Sequence, residues 1–199
     1  MKFLIFSLFT LSLATQASVV GITTHPQSDE ARVLSLETAG YFSHRHEMSG
    51  GIRYTHGFSD SELLDIAIGA GQYSRGMTVS VGMDFELLKD EDNQPRLSLK
   101  PFFQHQKFDS SKHSNLGFAP ILRKGLNISG LDFYPYLAIP TGMKLDSETD
   151  EFKYFAQASL GATFTIPGTQ DSLALGFEGS KNLGSANDSL NLNISWVWK

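Results

Sequence analysis

The chain has 199 residues, a formal net charge of −5, 41% hydrophobic residues and no cysteine, with a mean hydropathy of −0.15. That hydropathy excludes a polytopic helical membrane protein, the acidic balance argues against a nucleic-acid-binding face, and the missing thiols exclude disulfide scaffolds, thiolate zinc sites and cysteine nucleophiles. The 18 glycines and 15 phenylalanines need another explanation.

The N-terminus reads as an address. Met1-Lys2 is a positive start, Phe3 to Leu13 an apolar run, and Ala14-Thr15-Gln16-Ala17 a small-residue cleavage region. The run is shorter than the roughly 20 residues of a spanning helix. Residues 1–17 are therefore expected to be a signal peptide, 18–30 a periplasmic lead, and 31–199 one domain.

From Ala31 onward helical spacing gives way to strict alternation, the signature of strands with two different faces. Ten segments are predicted, at about 31–42, 48–58, 62–72, 76–87, 96–107, 115–123, 129–139, 152–166, 172–180 and 189–198. In the fourth, Met77, Val79, Val81, Met83, Phe85 and Leu87 oppose Thr78, Ser80, Gly82, Asp84 and Glu86. In the last, Leu190, Leu192, Ile194, Trp196 and Trp198 share one face. Turn chemistry separates the segments, as in Ser59-Asp60-Ser61, the charged run 89–95, Pro167-Gly168-Thr169 and 184–188. The outer connections are placed at about 43–47, 73–75, 108–114, 140–151 and 181–188.

The volume of the apolar face decides which way it points. It carries too many large side chains for the interior of a small barrel, so it is assigned to lipid, and the Gly-, Ala-, Ser- and Thr-rich face to the lumen. The lumen charges are then Glu37, Asp65, Asp84, Glu86, Asp132 and Glu178 against Arg53, Arg96, Lys100, Arg123 and Lys153. The lipid face of these segments holds no Asp, Glu or Arg, and Lys107 is its one lysine; a mid-bilayer Arg or Lys there would cost about 2–4 kcal/mol. The fold class is thus all-β, a closed antiparallel transmembrane barrel of about ten strands, with eight as the alternative count and a soluble two-sheet sandwich as the competing architecture. An even count leaves both termini on the periplasmic side.

On these residues the chain resembles the small outer-membrane β-barrel proteins of Gram-negative bacteria, over Ala31 to Trp198. Arg53-Tyr54-Thr55-His56-Gly57-Phe58-Ser59-Asp60-Ser61-Glu62-Leu63-Leu64 looks like a periplasmic hairpin of such barrels. Ile194, Trp196 and Trp198 are similar to the C-terminal assembly signal, which Lys199 makes penultimate. The resemblance implies delivery to the barrel assembly machinery and contact with outer-membrane lipids; it implies no particular activity.

Candidate chemistry is sparse. Pro101, Pro120 and Pro135 fall mid-segment in three consecutive strands, where lost donors could weaken the wall; a lateral gap there would suit a lipid ligand, as in barrels that acylate lipid A. His44 and His46 share a face but lack a third metal ligand. His113-Ser114 is read as outer loop, and its two side chains would diverge in a strand. Asp109, Asp146 and Asp150 are placed in outer loops, with no Asp-x-His motif of the kind omptin-type proteases resemble. The triplets at Asn127, Asn187 and Asn193 carry no meaning in a bacterial barrel. The expectation is a monomeric, non-enzymatic barrel without cofactor or metal and with no nucleic-acid partner. Its role would be structural or that of a narrow conduit for small solutes, with a lipid-modifying or lipid-transporting barrel and a surface-recognition protein as alternatives.

Overall fold

The computed structural model describes residues 31–41, 47–59, 61–71, 76–107, 112–147, 151–166, 173–183 and 188–198. The expected signal peptide and lead, His44, His46, Asp109, Asp150 and Lys199 lie outside the described residues. The described strands are β1 (Arg32–Tyr41), β2 (Glu47–Ser59), β3 (Glu62–Gly71), β4 (Met77–Leu88), β5 (Arg96–Lys107) and β6 (Lys112–Arg123). They continue as β7 (Leu126–Ile128), β8 (Leu131–Ala138), β9 (Thr141–Asp146), β10 (Glu151–Thr165), β11 (Leu173–Asn182) and β12 (Asp188–Trp198).

These strands form one closed antiparallel sheet. Strands β1 to β6 pair in chain order, as do β10 to β12, and β1 pairs with both β2 and β12, from Arg32↔His56 to Tyr41↔Glu47 on one side and Arg32↔Trp198 to Tyr41↔Ser189 on the other. First-to-last pairing leaves the sheet no edge, which is the condition for a sheet to sit in lipid. A two-sheet sandwich is therefore excluded. The twelve segments make ten walls, because β8 and β9 follow one line, both bonded to β6 and β10, while β7 is a short stub paired only with β8.

Polarity is reversed relative to a soluble domain. Ile52, Ile68 and Leu160 are 51%, 53% and 66% exposed, whereas Arg53 and Lys100 are 1% and 3% exposed. Along β4 the exposed residues Met77, Val79 and Val81 alternate with buried Thr78, Ser80 and Gly82. A continuous apolar exterior around a polar interior is the architecture of outer-membrane β-barrels, and it places this chain in that membrane. Ile194, Trp196 and Trp198 face outward on β12, the strand that closes the barrel against β1.

The seventh wall departs from the predicted segments. The turn residues Ser129 and Gly130 both have positive φ, 56° and 85°, the pair of values that a tight two-residue hairpin demands, so this wall starts at Leu131. It then runs on to Asp146, through residues expected in an outer loop. Pro140 hides the continuation in the sequence but does not end the ladder: Ile139 N–H donates to the Pro120 carbonyl at 3.1 Å, and Gln157 N–H donates to the Pro140 carbonyl at 2.9 Å. His113, Ser114 and Asp146 are consequently strand residues rather than loop residues.

Beyond Pro140 the walls β6 and β9 approach closely at the Gly117↔Gly142 pair. A β-carbon on Gly142 would press on the Leu116 carbonyl oxygen and lie 2.6 Å from the Gly117 Cα, so backbone would have to move. At Gly179 the nearest atom to such a carbon is 3.9 Å away. Gly142→Ala is expected to destabilise the folded barrel by about 1–3 kcal/mol and Gly179→Ala to leave it unchanged, as measured by urea unfolding in vesicles followed by tryptophan fluorescence.

Candidate functional site

The lumen is filled by side chains from several walls. Arg53 points inward from β2, where Gly51 and Gly69 beside it leave room for a long side chain. Its Nε donates to Glu37 Oε1 at 2.6 Å, Nη2 donates to the other Glu37 oxygen at 3.3 Å, and Nη1 donates to Asp65 Oδ2. Lys100 reaches the second Asp65 oxygen from β5, with Nζ to Oδ1 at 2.6 Å. Its path crosses β4 at Gly82, where a β-carbon would lie 2.6 Å from the Lys100 Cε. Four charges of alternating sign thus connect β1, β2, β3 and β5 across the interior. Arg53 supplies the fork that a point-charge lysine lacks.

A second group packs from the other walls. Tyr136 Oη donates to Glu178 Oε2 at 2.7 Å, while Ser180 Oγ and Asn191 Nδ2 donate to Oε1 at 2.7 and 3.2 Å. The Tyr136 ring occupies the space over its cross-strand partner Gly161. Phe102, Ala119, Ile121 and Ala138 pack with Tyr136 into a small apolar cluster, and Phe155 packs on Phe102 with ring centroids 6.2 Å apart and planes tilted by 54°.

Towards the end that carries the chain termini, Arg96 meets Glu86 at 3.0 Å and Asp84 at 3.9 Å, with buried Arg123 as its cross-strand partner. Below it, outside the spanning strands, Lys124 Nζ is clasped by the Asp90 carboxylate and by the carbonyls of Asp92 at 2.6 Å and Gln94 at 3.3 Å. Gly125 N–H donates to Asp90 at 2.6 Å. At the opposite end Asn115 donates to Gln104 at 2.9 Å, and His113 and Asp146 face each other at 3.8 Å.

Two of the eleven expected lumen charges lie elsewhere. Asp132 belongs to the β7–β8 hairpin beyond the closed wall, where it accepts from Asn127 Nδ2 at 2.7 Å. Lys153 sits where β10 rises past its β11 pairing, 62% exposed and 3.1 Å from Glu151. Inward parity does not make a lumen residue at a height where only part of the wall continues. Losing one acid and one base keeps the balance of the remainder.

The three prolines of the expected lateral gap keep part of their ladder bonding. Antiparallel residues offer their N–H and C=O to the same neighbour, so a proline forfeits one bond and keeps the other. Pro120 and Pro135 still accept from Ile139 and Lys124, each at 3.1 Å, across the β6–β8 boundary. Pro101 stays paired with Phe118 on β6; only its β4 side skips, between Gly82↔Phe102 and Phe85↔Leu99. The ladder is interrupted on the β4 side of Pro101 and again opposite Pro120, at Ile139–Pro140, and these walls stay paired on either side of both points.

Sequence reasoning missed Tyr136, Gln104 and Asn115, and it missed two pairings. His113 faces Asp146 rather than Ser114, and Ser114 bonds His105 Nδ1 at 3.0 Å. The parity of Tyr136 was readable, but its role depends on the cross-strand register with Gly161.

No protein-family model and no curated protein matches the chain. Among solved structures it is similar to a bacterial polysaccharide outer membrane secretin, at 11% identity over 88% of this chain and 67% of that one, with a TM-score of 0.49. It is similar to the KdgM porin at 8% identity, 84% and 99% coverage and a TM-score of 0.45. For the N-terminal β-barrel domain of Pseudomonas aeruginosa OprF the values are 14%, 86%, 100% and 0.37. Identities this low transfer no residue role, and the barrel fold follows from this chain's own closed ladder and reversed polarity.

Asp65 serves two cations at 5% side-chain exposure. Asp65→Asn leaves both short of a counter-charge and is expected to cost about 3–5 kcal/mol, whereas Lys153→Gln at an exposed pair is expected to cost under about 0.5 kcal/mol, both read from urea midpoints.

Burial pushes the Asp90 carboxyl up, and the bonds from Lys124 and Gly125 with the Lys124 and Arg123 charges outweigh it, holding the group below its ordinary value. A depressed carboxyl stabilises the fold above its unfolded pKa and loses that contribution as pH falls through its folded value. The stability advantage of the natural chain over Asp90→Asn is therefore expected to be full at neutral pH and to shrink below about pH 4, as measured by unfolding across a pH series.

Proposed function

We propose that the protein is an integral outer-membrane barrel of structural role whose lumen is closed at rest, passing small solutes only when the Arg53 network breaks. The observation that carries this reading is the state of Arg53, 1% exposed and bonded to Glu37 and Asp65 at once. A water-filled channel would leave its lining charges wet. Here the charges satisfy one another, and Lys100, Gln104 and Phe102 are buried beside them at 3%, 0% and 4% exposure. Ten walls give an interior only modestly wider than an eight-stranded barrel that side chains fill. In this reading the barrel is a monomer that reaches its place through the barrel assembly machinery, guided by Ile194, Trp196 and Trp198.

Planar-bilayer recording tests the closed lumen. The purified, heat-modifiable protein is expected to give no steady single-channel steps. The E37A/R53A variant removes a charge-neutral pair while keeping Asp65 with Lys100, and it is expected to give resolvable steps. Steady steps from the natural protein, unchanged in the variant, would overturn the plug.

A further inference from the structure

On the exterior of β5 and β6 the outward residues follow a sequence of chemistries towards the end away from the termini. Leu97, Leu99, Pro101 and Phe103 on β5 lie beside Leu122, Pro120, Phe118 and Leu116 on β6. The next outward pair is His105↔Ser114, hydrogen-bonded through Nδ1 and Oγ at 3.0 Å. The pair after that is Lys107↔Lys112, both exposed. Successive outward pairs stand about 7 Å apart along a strand. The wall therefore passes from apolar, to a hydrogen-bonding pair, to two cations, within about 14 Å.

Like charges directly opposed across a strand pair are destabilising, and among the described residues the other opposed cation pairs have a carboxylate beside them. Arg96↔Arg123 has Glu86 at 3.0 Å from Arg96, and Lys144↔Lys153 has Glu151 at 3.1 Å from Lys153. The outward Lys181 has Asp188 as its register partner. Among the described residues Lys107 and Lys112 have no carboxylate in ion-pair distance, and their cross-strand neighbours on the outer sides, Met77 on β4 and Ser147 after β9, bring none.

We propose that Lys107 and Lys112, with His105 and Ser114 beneath them, bind the phosphomonoester headgroup of a lipid in the adjoining leaflet. Two fixed cations match the charge of about −1.5 to −2 that a phosphomonoester carries at pH 7. The same lipid lays its ester region beside the His105–Ser114 pair and its chains along the Phe103–Leu116 and Pro101–Phe118 rungs. A soluble phosphate would use only the uppermost pair, whereas the gradient below it fits a molecule that is amphipathic along the wall. This inference rests on the reading of the exterior as lipid-facing.

The test is lipid retention measured by native mass spectrometry on the full barrel, loaded from vesicles of phosphatidylcholine containing either phosphatidate or phosphatidylglycerol. Phosphatidate is expected to be retained over phosphatidylglycerol by on the order of tenfold. K107Q/K112Q is expected to abolish that preference, K107R/K112R to keep it, and K181Q to leave it unchanged, with heat-modifiable migration verifying that each variant is folded. An undiminished preference in K107Q/K112Q overturns the site, and displacement of phosphatidate by inorganic phosphate overturns its assignment to a lipid. If the barrel fails to co-float with vesicles of either composition, the lipid-facing reading itself falls, a result distinct from a barrel that floats without preference.

Discussion

Hydrocarbon accepts no hydrogen bonds, and every peptide group placed in it must find its partner within the protein. That constraint forces the pairing of β1 with β12 and with it the whole architecture, since an open sheet would leave two rows of donors and acceptors in lipid at several kcal/mol each. The proline positions show how strictly the rule holds. Where Pro120, Pro135 and Pro140 remove donors, their carbonyls still accept from Ile139, Lys124 and Gln157. The interruption at Ile139–Pro140 divides one wall into β8 and β9 without dividing the barrel.

Closure in lipid turns the usual packing problem inside out. The large apolar side chains go outward, and a narrow interior is left to be filled by polar ones. There a charge without a partner is costly, and a paired one is tolerable only with good geometry and complete hydrogen bonding. The chain meets this with small residues set beside long ones. Gly82 admits the Lys100 stem, Gly161 admits the Tyr136 ring, and Gly51 and Gly69 flank Arg53. The glycines that look excessive in the composition are, at these positions, the complements of the charges. The resulting network ties non-adjacent walls together through their side chains, a constraint the backbone ladder alone does not supply.

Much of the fold was legible because a strand between two solvents writes its orientation at every residue. The alternation in β4 and β12 fixed direction, and direction fixed which charges point inward. Legibility failed where that rule has no purchase. Pro140 reads as a loop, although its parity continues through Ile139, Thr141 and Met143. Asp132 and Lys153 have inward parity, yet they stand where neighbouring walls have already ended. His113 and Ser114 are adjacent in sequence, but His113 faces Asp146 and Ser114 bonds His105, partners set by register.

The sequence by itself determined a closed antiparallel barrel with an apolar exterior and a charged interior, because period-two segregation of polarity is local and each segment states it independently. The tertiary structure alone decided the register between walls, and so decided which charge meets which. That placed Asp65 between Arg53 and Lys100, stacked Tyr136 over Gly161, and set Lys107 against Lys112. A shift of one residue between strands reverses every facing, while a shift of two keeps each facing and changes every partner. Composition and alternation are blind to the second kind of shift, and the state of the lumen depends on it.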